Sequence, residues 1–341
     1  MRPPKSPVLL AFAALAATPL AAQLGLPAVS APGLPPLGDV VDTPLATGQD
    51  LLRGTARQVS QALNEARLAR IESLLSRNRA ALERDAAGEP ARRGTLVLLD
   101  PAPSDLTALA NMGFQVTRSE TIAGLEFAVT EVGIPAGLSL ADAERLARQR
   151  LPGAMISSDP IYFQSGTAGG KRSSTGWQAP TVNIPVGFVD GMPAQPVSEA
   201  KGFAKGAPIA SDHGSAVVSL GQGAGLRNVL VADVYGSDPA GGNALAIAQA
   251  MGWLVGKGAR VISISLVGPR NPILERAVTA TLARGVVIVA AVGNDGPAAP
   301  PSYPASYPGV IAITAVDKRN RPLIEAGRAL HLDYAAPGAD L

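Results

Sequence analysis

The stretch SDHGSAVVSL, residues 211–220, holds one of only two histidines in a chain of 341 residues. His213 stands where an apolar helical pattern begins, so it reads either as a proton-transfer group or as an ordinary histidine in a first helical turn. Two further polar residues follow strand-like apolar runs: Asp190 after VGFV, and Asn294 after VVIVAAVG. An aspartate that orients an imidazole, a histidine that acts as base, and an amide that donates to a developing oxyanion are three of the parts acyl transfer needs. Each is weak alone. What gives them weight is that one sheet could bring all three to one rim.

After residue 181 strand-like and helix-like pieces alternate: VNIPVGFVD, HGSAVVSLG, NVLVADVYG, GNALAIAQAMGWLVGKG, RVISISLVG, NPILERAVTATLARG, VVIVAAVGND and VIAITAVD. Continuous apolar runs between amphipathic helices predict an α/β architecture, a doubly wound, mostly parallel sheet covered on both faces. Such sheets bind ligands at the carboxyl ends of their strands, where Asp190 and Asn294 fall.

Ahead of this half, residues 94–165 predict a small α+β module. TLVLLD, FQVTRSETI, LEFAVTEV and AMISSDPIYF read as strands, while SDLTALANMG and SLADAERLARQRLPG read as helices, the second with Ser139 as its cap. The order β-α-β-β-α-β is the ferredoxin-like arrangement. Residues 50–93 predict a helical segment, helical from about Asp50 to Ala87. Its apolar positions Leu52, Val59, Leu63, Leu68, Ile71, Leu75 and Leu82 form stripes, its arginines lie opposite, and it packs on a neighbouring domain. Residues 23–49, rich in Pro and Gly, and residues 166–180, rich in Gly and Ser with Lys171 and Arg172, read as linkers, the second open to proteolytic nicking.

Composition narrows the function. An apolar fraction of 47% with 16% charged residues describes folded cores, and a net charge of +2 with scattered arginines argues against nucleic acid. No cysteine is present, which removes disulfides and thiol catalysis. Neither histidine has a second ligand at metal spacing, so no metal or cofactor is expected, and His331 reads as a strand-edge residue. GQGAGL at 221–226 ends a helix and precedes a strand, the reverse of a dinucleotide turn. Residues 1–22, with a basic start, an apolar run and small residues at Ala21 and Ala22, read as an export leader. That predicts a periplasmic or extracellular protein whose only membrane contact is the leader.

From about Val182 onward the chain resembles the subtilisin-like serine proteases. The resemblance rests on His213-Gly214-Ser215, on SLVGP from Ser265 to Pro269, on GNDG from Gly293 to Gly296, and on YPASYPGVIAITAVD and YAAPGADL, in family order. It implies that residues 181–341 are a subtilisin-like peptidase domain, with Asp190 orienting the imidazole, His213 as base and acid, and Asn294 as oxyanion donor. Ser265, Leu266, Val267 and Gly268 would pair with a peptide or protein substrate, and Ala291, Val292 and Gly293 would border its specificity pocket. The ferredoxin-like module would be an intramolecular pro-segment. Two departures stand out. Asp190 is followed by Gly191 and Met192 rather than by a hydroxyl residue and glycine, and no Gly-Thr-Ser-x-Ala-x-Pro occurs in the 341 residues. The expectation is therefore an exported serine endopeptidase precursor, C-terminally incomplete in its sheet domain, cut short before its nucleophile and inactive as this chain. The alternative is a peptide- or protein-binding relative that does not cleave.

Overall fold

The computed structural model describes residues 48–166 and 180–338. The expected leader, nearly all of the 23–49 linker and all but the ends of the 166–180 linker lie outside them. Contacts divide the chain into Met1–Leu51 and a compact unit, Leu52–Leu341. Of the first, only the opening turn of a helix is described.

That helix, α1 (Gly48–Arg77), is followed by β1 (Leu82–Arg84) and β2 (Pro90–Leu99). The expected helix over 50–87 therefore ends ten residues early. Leu82, Glu83 and Arg84 favour a helix intrinsically, but pairing antiparallel to Arg92, Ala91 and Pro90 extends them into a strand. Tertiary pairing outweighs propensity here. The helix also begins inside the expected 23–49 linker, at Gly48.

The module continues through α2 (Pro103–Asn111), β3 (Gln115–Thr121), β4 (Ala128–Gly133), α3 (Leu140–Arg150) and β5 (Met155–Pro160). Its strands lie in the order β5-β2-β4-β3, every neighbouring pair antiparallel, with β1 against the first part of β2. This is the βαββαβ topology. Alternation along β2 sends Leu96 and Leu98 toward α2 and α3, and Val97 and Leu99 to the opposite face. Ser139 caps α3, accepting from the Asp142 amide.

A short strand β6 (Phe163–Gln164) leaves the module, and the second half begins with β7 (Val186–Asp190). It proceeds through β8 (Glu199–Gly202), α4 (Asp212–Gly223), β9 (Val229–Asp233), α5 (Ala244–Gly256), β10 (Val261–Ile264), β11 (Leu266–Val267), α6 (Pro272–Leu282), β12 (Val287–Ala291), β13 (Ile311–Val316) and β14 (Tyr334–Pro337). Seven of these strands form one parallel sheet in the order β14-β13-β12-β10-β7-β9-β8. Val218 of α4 packs with Phe188, Val229 and Val231 on one face of the sheet. On the other face Leu254 of α5 and Ala277 of α6 join Ile262, Ile264 and Ile288 in the main core. The sheet is doubly wound, as its apolar strands predict.

The module's second face packs on α5 and α6. Val97, Ile122, Phe127 and Val129 share a core with Leu245, Met251, Ile273 and Ala277. The polar seam is equally specific. Asp159, 1% exposed, accepts from the Leu245 amide at the start of α5 (3.0 Å) and from Arg92 (3.0 Å). Burial pushes its carboxyl up against the opposing pull of Arg92. Asn271 caps α6, accepting from Ile273 and Leu274, while its amide donates to Ser157 Oγ and the Ser158 carbonyl (both 3.2 Å).

Candidate active site

β7 is buried over all five residues in the middle of the sheet, and Asp190, 1% exposed, ends it. Ser211 caps α4 by accepting from the Gly214 amide (3.0 Å), which fixes the first turn and directs His213 toward the strand end. His213 Nδ1 lies 2.8 Å from Asp190 Oδ2 and 2.9 Å from Oδ1. Oδ1 also accepts from the Gly191 amide (2.7 Å) and from Gln164 Nε2 (3.2 Å). A side chain at residue 214 would run into the Gly191 carbonyl, so the helix can approach the strand only with glycine after the histidine. Gly191 is constrained in the same way: Ser211 Oγ occupies the place its Cβ would take. That contact explains why no larger residue follows Asp190.

The other imidazole nitrogen meets the chain itself. His213 Nε2 is 2.9 Å from the Ser165 carbonyl oxygen. Both ring nitrogens thus face acceptors, an arrangement the imidazolium satisfies fully. Burial lowers the His213 pKa, but the hydrogen bond and charge of Asp190 and the Ser165 carbonyl outweigh it, and the net value is raised.

Residues 162–165 lie extended across the sheet rim. Tyr162 donates its amide to the Gly242 carbonyl (2.8 Å) and its hydroxyl to the Pro269 carbonyl (2.6 Å), and its own carbonyl accepts from Tyr235 (2.9 Å). β6 pairs antiparallel with β11, Phe163 against Val267 and Gln164 against Leu266. The Ser165 amide then donates to the Ser265 carbonyl (2.8 Å). Burial pushes the Tyr162 hydroxyl well above the usual phenol range, as for a ring sunk in a closed pocket.

The structure brings Asp190 and His213 into contact and lays Ser265, Leu266 and Val267 along the extended segment. Gly268 pairs elsewhere: its amide and carbonyl both bond Tyr303 (3.0 Å each) rather than residues 162–165. Its role is spatial, since a Cβ there would come within 2.6 Å of the Tyr162 ring. Ala291 ends β12, and Val292 is buried and held through Ser302 Oγ on its carbonyl (2.7 Å). Gly293, at φ +87°, packs against Val267, and its carbonyl accepts from Gly327 (2.7 Å). Asn294 lies in the loop after β12, a strand two positions from β7 in the sheet and about 10 Å from it by ordinary strand spacing. Among the described residues no group of three or more His, Cys, Asp or Glu side chains gathers to hold a metal ion. His331 sits before β14 with Nε2 2.9 Å from the Val310 carbonyl.

Sequence reasoning did not single out Tyr162, Gln164 and Ser165, nor Arg70, which meets Asp295 of the GNDG stretch at this rim. No local pattern marks these four. The only signal is the abrupt change to Gly and Ser after Gln164.

A seven-stranded parallel sheet with a buried Asp–His pair at its carboxyl rim and an extended segment on the neighbouring strand defines a subtilisin-like α/β domain. Residues 198–338 match the Subtilase family, Peptidase_S8, and over that part the chain is similar to these serine proteases. It is 34% identical to Subtilisin Savinase of Lederbergia lenta over 166 residues, 48% of this chain and 60% of that protein. To Subtilisin DY of Bacillus licheniformis it is 28% identical over 217 residues, 61% of this chain and 73% of that one. An alkaline protease of Alkalihalobacillus alcalophilus matches at 34%, with 48% of this chain and 42% of its own length covered. The chain thus spans about half the length of several curated relatives it matches. In fold it is similar to the epidermin leader peptide processing serine protease of Staphylococcus aureus, with a TM-score of 0.51 at 14% identity over 72% of this chain and 75% of the other.

Proposed function

We propose that the chain is an exported subtilisin-like serine endopeptidase precursor held in an occupied, non-hydrolysing state. Asp190 orients and stabilises the imidazolium, His213 is the general base and acid, and Asn294 donates to the tetrahedral oxyanion. Residues 265–267 receive peptide substrate as an added antiparallel strand, with Ala291, Val292 and Gly293 bordering the pocket beside it. The ferredoxin-like module is a pro-segment, and its last residues occupy that strand position. Export rests on the leader pattern of residues 1–22. Among the described residues no helix is long and apolar enough to cross a membrane.

One observation carries this reading. His213 bridges Asp190 at 2.8 Å and the Ser165 carbonyl at 2.9 Å while the segment behind that carbonyl pairs with β11. A carbonyl so held covers the imidazole nitrogen that would otherwise take the nucleophile's proton. The 341 residues contain no Gly-Thr-Ser-x-Ala-x-Pro, and the nearest hydroxyl on α4 is engaged elsewhere: Ser215 Oγ donates to the Ser211 carbonyl (2.8 Å) and accepts from Ala194 (2.9 Å). A polypeptide of these residues therefore hydrolyses no peptide and takes no fluorophosphonate label.

The test is to purify that polypeptide and measure both reactions beside His213→Ala. Labelling that vanishes with His213 would reveal a substitute nucleophile and overturn the claim of inactivity. Adding a family-like segment with Gly-Thr-Ser should create labelling that requires His213. A second reading, a binding protein that does not cleave, is favoured by the strand pairing alone, and it predicts that the added segment changes nothing.

A further inference from the structure

We propose that helix α1 is a latch over the occupied cleft, and that Arg70 is its positioning residue, tying Phe163 of the tail to the loop that carries Asn294. The proposal rests on reading residues 162–165 as the occupant of the cleft.

The tail's own ladder is short. It consists of two paired residues in β6 and β11, flanked by the amide bonds of Tyr162 and Ser165. Successive side chains on an extended strand point to opposite sides, so while Tyr162 sinks beside Gly268, Phe163 turns outward. There it meets α1. Ile71 and Leu75 are buried against Ile161, Ala240 and Phe163, with Leu82 closing the cluster. The Arg70 guanidinium lies 4.5 Å from the Phe163 ring centre, a cation over an aromatic face.

The same guanidinium reaches across the tail to the other wall. Arg70 Nη2 donates to both oxygens of Asp295, at 2.9 and 3.1 Å. Arg67 adds a second tie, bonding Glu89 at 2.8 and 3.0 Å with its Nε 3.9 Å from Asp295. Leu63 packs where a side chain on Gly296 would lie. One helix face thus touches the module at Glu89, the tail at Phe163, and the 294–296 loop at its acidic and glycine positions. Arg67 and Arg70, expected opposite the apolar stripes, are among the helix's contacts with this loop. The carboxylate they neutralise directly follows Asn294, so the tail cannot leave past Phe163 without uncovering Arg70, and α1 cannot lift without freeing the loop.

The full chain tests this by amide hydrogen exchange at Ser165, whose N–H donates to Ser265, with His213 ring resonances followed in parallel. In the wild type the Ser165 amide should be protected. Free exchange there would sink the tail reading itself, whatever Arg70 does. Given that protection, Arg70→Ala should accelerate Ser165 exchange about tenfold or more, the scale of losing a charged hydrogen-bond pair, while amides of β7 stay protected. It should also shift the His213 resonances, because the Ser165 carbonyl is loosened. Exchanging the charges, Arg70→Asp with Asp295→Arg, should return protection toward wild type. A helix that merely buttresses the module would leave Ser165 and His213 unmoved in Arg70→Ala, and that result overturns the latch. If Arg70→Ala also exposes β7, Arg70→Lys decides: retained charge without the flat fork should still speed exchange at Ser165, and unchanged exchange refutes the proposal.

Discussion

The Nε2 atom of His213 lies 2.9 Å from the carbonyl oxygen of Ser165, so the imidazole that a bound peptide would need already faces the chain's own tail. Because Nδ1 is engaged by Asp190 at the same time, the state of one proton links the buried pair to the occupied cleft.

That link gives the first prediction. The Ser165 carbonyl is one of the groups that raise the His213 pKa, so protonation favours the engaged tail. The stabilisation should be present while His213 is protonated and fade as pH rises through its raised value. Exchange at the Ser165 amide, corrected for intrinsic rates and measured from pH 5 to 9, should show protection declining across that window. A decline on the acid side would contradict the assignment.

Asp190→Asn removes the charge and leaves the shape. With burial then acting against a weaker counterforce, the His213 pKa should fall. Titration of the His213 ring protons by NMR measures this directly. An unchanged value would mean that the 2.8 Å contact does not set the proton affinity of the imidazole.

Tyr162 and Gly268 should behave as a matched pair. Tyr162→Phe loses only the hydroxyl bond to Pro269, about 1 kcal/mol, whereas Tyr162→Ala empties the pocket at about 3–5 kcal/mol. Gly268→Ala forces a methyl against the ring and should cost about 1–3 kcal/mol. Urea unfolding of the full chain ranks the three, and a larger loss for Phe than for Ala at residue 162 would refute the packing account.

Asn271 has two separable duties, capping α6 and donating to the module at Ser157 and Ser158. Asn271→Ala removes both and should destabilise the chain by about 2 kcal/mol or more. Asn271→Asp keeps an acceptor for the cap but withdraws the donors, so it should loosen the module, seen as faster exchange in β5, while the α6 amides stay protected. Equal effects of the two substitutions on α6 would show that the cap is not what the side chain supplies.

The sheet half was legible because its signals are local. Continuous apolar runs define the strands, VLVAD buried on both faces and VIVAA buried on one, and Ser139 marks a helix start by composition, as do Ser211 and Asp212 together, of which Ser211 is the cap. His213-Gly214 was legible too, as a motif whose glycine answers a local steric demand, the approach of the helix to the Gly191 carbonyl. The end of α1 was not. Residues 82–84 carry helix formers, and only pairing with β2, several residues further on, makes them extended. The occupied cleft lay still further out of reach. Arg70 and Asp295 are separated by 225 positions, and Gln164 and Asp190 by 26, with nothing in either neighbourhood to announce the partner. The sequence by itself determined which residues could do acyl-transfer chemistry and which strands would hold them, because side-chain type and hydrophobic period are properties of short stretches. Only the tertiary structure decided that the cleft is filled, by what and under which helix, because those contacts depend on where the chain returns in space.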